Sequence, residues 1–126
     1  MLVEFLSNFQ VEKLNGTWAM VVPLVVKLNK VKTVVVPTGF ETDFASVPRL
    51  PLAYLLAGDT AHRSAVLHDY LYATQVGKKY ADKIFLAAMK AEGISSWRRY
   101  LMYGAVKFFG SAAYTSHGNK SKEIKE

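Results

Sequence analysis

The segment Ala65–Met89 constrains the fold of this chain more than any other part of its sequence. Its first eleven and last eleven residues each carry apolar side chains at helical spacing, and TQVGK at 74–78 interrupts the pattern. In an antiparallel helical hairpin that turns at this interruption, His68 lies opposite Asp82, and Tyr72 lies one helical turn from His68. Ionisable groups on a core-facing surface cost free energy unless they are paired. We therefore predict that these three side chains pair with one another.

Such a group of side chains has two interpretations. A histidine oriented by a carboxylate is the usual arrangement of a general base, which makes His68 and Asp82 candidate catalytic residues, with Tyr72 beside them. Alternatively, the same side chains form a buried polar network that fixes the packing of the two helices and does nothing more. The sequence leaves both interpretations open.

Composition limits the classes of protein to which the chain can belong. Its 126 residues suit one domain with a core of its own, and its ordinary charged fraction of 21% is typical of a globular protein. The absence of cysteine excludes disulfides, thiolate catalysis and thiolate metal sites. The net charge of +6 favours an anionic partner, either nucleic acid, a lipid surface or an acidic protein. Since the basic residues are dispersed along the chain, the pattern does not favour nucleic acid.

The sequence offers neither a secretory signal nor a membrane span. The first ten residues contain Glu4 and no basic residue, so they do not resemble a signal peptide. No run reaches the roughly 18 apolar residues that cross a bilayer, and Lys107 interrupts the nearest one, Tyr100–Tyr114. Any membrane role is then expected to be peripheral.

The N-terminal third predicts β-structure. Trp18–Lys27 and Thr33–Pro37 are rich in β-formers and flank a short turn, which is typical of a β-hairpin. Because Pro23 cannot donate a backbone hydrogen bond, we expect the first strand to be an edge strand or to be bulged there. A third strand at Val3–Phe5 or at Phe9–Lys13 would complete a small antiparallel sheet.

The remainder predicts a loop and three helices, followed by a tail. Thr38–Pro51 reads as an ordered loop. The helices are expected from Thr60 to about Thr74, from about Lys79 to Glu92, and over Trp97–Phe109. The predicted fold is therefore a single α+β domain over residues 1–115, in which a small sheet precedes three helices that include the helical hairpin. The polar residues 116–126 are expected to form a flexible tail.

Two motifs in the hairpin resemble a known enzyme family. The order H-D-x-x-Y at 68–72, followed by A-D-x-x-F-x-x-A-M at 81–89, is similar to the core of the phospholipase A superfamily of secreted and parvoviral enzymes. The resemblance implies that His68 is the general base, Asp69 a calcium ligand, Asp82 the carboxylate that orients the histidine, and Tyr72 the partner of that carboxylate. The glycine-rich calcium loop of that superfamily has no clear counterpart here.

A second resemblance covers more of the chain. The segments TGFETDFASVPR, AVLHDYLYA, ADKIFLAAM and RRYLMYGAV are similar, in that order, to the family of proteins catalogued as domain of unknown function 1353. That family is found mostly in bacteriophages and prophages, often near tail and lysis genes. The resemblance implies a phage origin, with the host cytoplasm or the phage particle as location, and it implies no established activity.

The structure and role of the segment TDFASVP at 42–48 have several interpretations. Asp43 and Ser46 are expected to form a local turn or to cap a helix that begins near Val47, with Pro48 in its first turn. Asp43 is predicted either to join that turn or to reach the face of His68 as a second acidic metal ligand, beside Asp69. A nucleophilic triad of Ser46, His68 and Asp82 is a further alternative, although no strand–nucleophile–helix elbow surrounds Ser46.

Outside the hairpin, the aromatic and basic residues allow simpler predictions. His62 and His117 are expected on the surface. Most aromatic residues of the third helix are expected to pack against the sheet (Tyr100, Tyr103, Phe108 and Phe109). Trp97, with Arg98 and Arg99 beside it, would alternatively lie at the level of lipid headgroups.

Three functions are compatible with these observations. The one that we predict first is a non-catalytic virion or assembly component, built on a phospholipase-A-like helical hairpin, whose partners are other phage structural proteins. The alternative is a lipid or ester hydrolase that depends on calcium, uses His68 with Asp82, and meets a phospholipid membrane surface. The second alternative is a protein that binds an anionic host factor or nucleic acid through its basic surface.

Overall fold

The fold is described from a computed structural model, which describes the backbone of residues 1–42 and 61–125 and the side chains of these residues as far as Asn119. The strands are β1 Val3–Phe5, β2 Val11–Lys13, β3 Trp18–Met20, β4 Leu24–Leu28, β5 Lys32–Val36 and β6 Glu41–Thr42. The helices are α1 His62–Ala73, α2 Lys78–Ala91, α3 Ser96–Phe109 and α4 Ser111–Lys125. Strands therefore precede helices, and the predicted α+β class is confirmed.

The strands form two antiparallel sheets of three strands each. In the first sheet, β4 lies between β1 and β5, and in the second, β3 lies between β2 and β6. The turn between β4 and β5 is tight because Asn29 and Lys30 adopt positive φ angles of 51° and 61°. Two successive left-handed residues make a type I′ turn, whose twist matches that of the paired strands. The predicted hairpin is therefore present, with Val26 opposite Val34.

Pro23 divides the predicted first strand into two. The single strand expected over Trp18–Lys27 is instead β3 and β4, which belong to different sheets and are separated by Val21–Pro23. The prediction of an edge strand or a bulge at Pro23 is wrong, because Pro23 lies in neither strand and β3 and β4 are each the central strand of its sheet. Pro23 precedes β4, so its missing N–H costs no ladder hydrogen bond. Each of the two segments proposed for a third strand contains a strand, which is β1 in the first segment and β2 in the second.

The helices cover the first sheet and enclose the core. Alternate residues of β4, which are Leu24, Val26 and Leu28, are buried and face α1 and α2 within one apolar cluster. Burial of each such side chain contributes about 1.5–3 kcal/mol. Among the described residues, no helix combines the length and the hydropathy that a bilayer crossing requires.

The bounds of the first three helices agree with the sequence to within one or two residues, apart from the start expected at Thr60, which lies outside the described residues. The segment from Ser116, expected as a flexible tail, differs, because it is the continuation of helix α4. His62 is half-buried rather than on the surface, and its ring stacks on Phe9 at a centroid distance of 6.3 Å.

The outer side of α3 differs most from expectation. Tyr100, Phe108 and Phe109 are exposed and do not pack on the sheet, while Tyr103 is half-buried. The core takes up a different face of this helix, formed by Met102, with Ala105 and Val106. Helix α3 has two apolar faces, and its aromatic content alone does not determine which of them packs on the core.

Candidate functional site

The turn between α1 and α2 aligns the two helices as the sequence predicts. Gln75 adopts a left-handed φ of 54° and Gly77 a φ of 112°, so the chain reverses within Thr74–Gly77. The second angle lies in a region that side chains rarely adopt, which explains a glycine at this position. The Gln75 amide closes the turn by donating to the carbonyl of Tyr72 at 2.6 Å. As a result, the inner faces of α1 and α2 meet with His68 opposite Asp82.

Asp82 is the acceptor on which three donors converge. Its Oδ1 accepts from His68 Nε2 at 2.8 Å and from the hydroxyl of Tyr72 at 2.7 Å. Its Oδ2 accepts from Lys78 Nζ at 2.8 Å. His68, Tyr72 and Asp82 are buried, so these hydrogen bonds replace the solvation that the groups lose. The three residues paired by sequence reasoning are therefore in contact.

Burial and hydrogen bonding set the protonation states. Burial, only partly offset by Asp82, lowers the pKa of His68 below its ordinary value of 6.5, so the imidazole is neutral at pH 7. Burial alone would raise the pKa of Asp82, but hydrogen bonds from His68, Lys78 and Tyr72 hold it below 3.8. Burial and the ionised Asp82 raise the pKa of Tyr72, which keeps its proton. With Asp82 ionised, the proton of His68 lies on Nε2, and Nδ1 carries the lone pair.

Two aromatic rings hold the imidazole in this orientation. The ring of Tyr72 lies 4.2 Å from that of His68, and the ring of Phe85 lies 4.4 Å away in a stacked arrangement. Both neighbours pack against the imidazole and restrict its rotation. Phe85 is the phenylalanine of the A-D-x-x-F motif and lies on the same face of α2 as Asp82, three residues later, but sequence reasoning predicted no role for it.

Lys78 is a member of this network that sequence reasoning did not identify. Its ammonium donates to Asp82 and also to the backbone carbonyls of Val106 at 2.8 Å and Lys107 at 3.3 Å, in the last turn of α3. A cation at a helix C-terminus satisfies unpaired carbonyls and complements the helix dipole. The spacing of four between Lys78 and Asp82 on one helix was the available signal.

Asp69 points to a different element, the helix α4. It is buried, and its Oδ1 lies 2.9 Å from Nε2 of His117, although the contact lacks the alignment of a hydrogen bond. Tyr114 holds α4 in place, because its hydroxyl accepts from the Gly77 amide at 2.9 Å. The carbonyl of Tyr114 accepts from Gln75 at 2.9 Å. The expectation that His117 lies on the surface is wrong, since a helix follows where a tail was expected.

The described residues do not form a calcium site around Asp69. Ca²⁺ takes six or more oxygen ligands, whereas Asp69 Oδ1 lies 2.9 Å from an imidazole nitrogen. Among the side chains that the structure describes, no three acidic, histidine or cysteine side chains lie close enough to hold a metal ion. Asp43, the second predicted ligand, lies outside the described residues. So do Ser46, Val47 and Pro48, which the predicted cap and the alternative triad require.

Comparison with known proteins gives one assignment. Residues 18–106 match the family model described as "Protein of unknown function (DUF1353)". The chain belongs to the DUF1353 family. The region matched by DUF1353 contains Asp82 and its three donors His68, Tyr72 and Lys78, which we call the Asp82 network, whereas His117 lies beyond it. No curated protein and no solved structure matches this DUF1353 chain.

Proposed function

We propose that this protein is a hydrolase that cleaves carboxylic esters with His68 as the general base. The observation that carries the proposal is the 2.8 Å hydrogen bond between His68 Nε2 and Asp82 Oδ1, in a site where burial keeps the imidazole neutral. This bond assigns the proton to Nε2, so the lone pair that accepts a proton is on Nδ1. A fixed tautomer and a neutral ring at pH 7 are what a general base requires.

Each residue of the network has a role in the proposed reaction. His68 Nδ1 removes a proton from water as the water oxygen adds to the ester carbonyl carbon, which forms a tetrahedral oxyanion. When the carbon–oxygen bond to the alcohol breaks, the imidazolium returns the same proton to the departing alkoxide. Asp82 stays ionised and stabilises the imidazolium, while Tyr72 and Lys78 keep Asp82 in place.

The energetic cost of the network favours a chemical role over packing alone. Buried ion pairs and polar groups rarely stabilise a fold more than well-packed apolar residues of similar volume would. Here, the carboxylate of Asp82 and the imidazole of His68 are buried beside a core built mostly of apolar side chains. Groups whose pKa values are shifted by burial and by specific partners concentrate at functional sites.

The experiment is an ester hydrolysis assay with the full chain. Release of p-nitrophenol from p-nitrophenyl butyrate, and of fatty acid from phosphatidylglycerol vesicles, would be measured with calcium and with a calcium chelator. We expect turnover by the wild type, its loss in His68→Gln, and its retention in His62→Gln, which removes a histidine of the same helix outside the network. The absence of turnover on both substrates, or equal turnover by His68→Gln, would refute the proposal. The two metal conditions test the calcium dependence directly.

A second candidate is the non-catalytic phage component, which one observation favours. Helix α4 covers Asp69, and all three donors to Asp82 are engaged, as expected of a scaffold held shut by its own contacts. This candidate predicts the protein in purified phage particles at a fixed copy number, with assembly unaffected by His68→Gln. A particle that lacks the protein and assembles normally would exclude it.

A further inference from the structure

Helix α3 carries an apolar ridge on its solvent side. Trp97, Leu101 and Phe108 are 65%, 44% and 74% exposed, and their positions at i, i+4 and i+11 fall within about 40° of one another around the helix. Tyr100 and Phe109, also exposed, lie on either side of them. We call these five residues the α3 ridge. Contiguous exposed apolar surface of this kind marks an interaction site more often than a bare surface.

The charged residues of α3 are all of one sign. Arg98, Arg99 and Lys107 belong to α3, which contains no acidic residue. The Lys107 ammonium lies 5.8 Å from the centroid of the Phe108 ring, and the Arg99 guanidinium lies 6.0 Å from that of Tyr100. Lys107 thus lies beside a ring of the ridge, Arg99 lies beside Tyr100 while its guanidinium donates to the carbonyl of Ile94, and none of the three cations falls on the line of Trp97, Leu101 and Phe108.

We propose that the α3 ridge docks on the surface of an anionic phospholipid bilayer. A helix with an apolar face and basic margins lies in the plane of such a surface, with its rings among the acyl chains and its cations at the phosphates. Trp and Tyr are enriched at this depth. Net attraction comes from both components, since apolar burial acts on the ridge and the anionic headgroups attract the three cations and the overall charge of +6.

The same charges argue against the two other candidate occupants. A second copy of the chain would bring the ridge against itself and place like charges along both margins, with no acidic residue of α3 to pair them. Nucleic acid requires cations in the middle of the contact, on phosphates. The middle of this ridge is Leu101, an aliphatic side chain that neither stacks on bases nor pairs with phosphate.

The ridge ends beside the Asp82 network. The carbonyls that accept from Lys78 belong to Val106 and Lys107, and Phe108 and Phe109 follow directly. Docking therefore brings the Asp82 network close to the lipid surface. The proposal does not depend on hydrolysis, because none of the five ridge residues belongs to the network.

The test is co-sedimentation of the full chain with vesicles. We expect the wild type to bind equimolar phosphatidylglycerol–phosphatidylcholine vesicles, to bind pure phosphatidylcholine vesicles weakly, and to be released when salt rises from about 0.05 to about 0.5 M. The ridge variant Trp97→Ser/Leu101→Gln/Phe108→Ser should bind at least about tenfold more weakly. Its matched control, Val31→Ser/Val35→Thr, removes exposed apolar side chains from β5 and the adjoining turn and should bind as the wild type does.

A second pair of variants tests the charges. Arg98→Gln/Lys107→Gln should weaken binding about tenfold or more, whereas Lys83→Gln/Lys90→Gln, which removes two exposed cations from α2, should weaken it less. His68→Gln should bind as the wild type does, so loss of hydrolysis and loss of docking are separable. Equal binding by the ridge variant and the wild type would overturn the proposal. The proposal would also be overturned if the wild type did not bind anionic vesicles and instead self-associated or bound single-stranded DNA through the ridge.

Discussion

The geometry at Asp82 makes a sharp prediction for the substitution Asp82→Asn. Asparagine keeps one oxygen and replaces the other by an NH₂ group, which donates and cannot accept. Oδ1 serves two donors, His68 and Tyr72, while Oδ2 serves Lys78 alone. The amide should therefore keep its oxygen toward the first two and turn its NH₂ toward the ammonium of Lys78. The variant then loses one charge-assisted contact and gains a repulsive one.

The expected size of the loss follows from the burial of this pair. The side chain of Lys78 is 21% exposed and that of Asp82 is 4% exposed, so little of their interaction is screened by solvent. Loss of a hydrogen bond to a charged group in such a setting costs about 1.5–3 kcal/mol. Lys78→Met should cost a similar amount. Because the amide no longer meets an ammonium in the double variant, that variant should be no less stable than Lys78→Met alone.

The assay is urea unfolding of all four proteins at pH 7, which closes a double-mutant cycle. The expected coupling energy is about 2 kcal/mol. Losses that add to within about 0.5 kcal/mol would show that Asp82 and Lys78 act independently and would refute the reasoning. The loss in Asp82→Asn should also shrink below about pH 4. The reason is that the lowered pKa of Asp82 stabilises the fold above its ordinary pKa of 3.8, and this contribution disappears as the pH falls.

Three further predictions concern single side chains. Because burial lowers the pKa of His68, the unfolded chain binds a proton more readily, so the free energy of unfolding should fall below pH 6.5 by up to about 1.4 kcal/mol per pH unit. Urea titrations from pH 5 to 8 should show a weaker dependence of the unfolding free energy on pH in His68→Gln than in the wild type. The same pH dependence in both proteins would contradict a lowered pKa of His68. His117→Ala leaves the carboxylate of its partner buried and should cost about 1–3 kcal/mol in thermal unfolding, whereas a loss near zero would mean that the 2.9 Å contact contributes nothing. Gly110→Ala should cost about 1–3 kcal/mol, since its methyl group would meet the backbone carbonyl of Val106 and lie 2.7 Å from the hydroxyl of Tyr72. A Tyr72→Phe background should relieve only the second of these clashes, and Gly104→Ala, with open space around it, is the control that should not destabilise.

Local patterns predicted the part of the site that depends on local geometry. His68, Tyr72 and Asp82 lie within fifteen residues of one another, on two helices joined by a short turn, so helical periodicity alone aligns them. The hairpin of β4 and β5 was predictable for the same reason. In each case the relevant contacts are short in sequence, and one turn sets the register.

The contacts that sequence reasoning missed are long-range ones. His117 meets Asp69 across 48 residues, and nothing in the polar stretch around it indicates that α4 folds back on α1. Lys78 reaches carbonyls 28 and 29 residues away, which depends on where α3 ends. The direction of the α3 face was missed because helical spacing gives two apolar stripes and does not say which one the core receives.

The shared ammonium of Lys78 has a thermodynamic consequence. One cation bonds both the carboxylate of Asp82 and the C-terminal carbonyls of α3 at the same time, so a displacement of the ammonium toward one weakens its bond to the other. A ligand that draws the ammonium toward Asp82 weakens the end of α3, and one that repels it strengthens that end. Linkage requires the reverse effect to have the same magnitude, so a partner that moves the ammonium when it binds the end of α3 changes the affinity of that ligand at Asp82 by the same factor by which the ligand changes the partner's affinity. The position of the Lys78 ammonium thus couples ligand binding at the Asp82 network to partner binding at the end of α3.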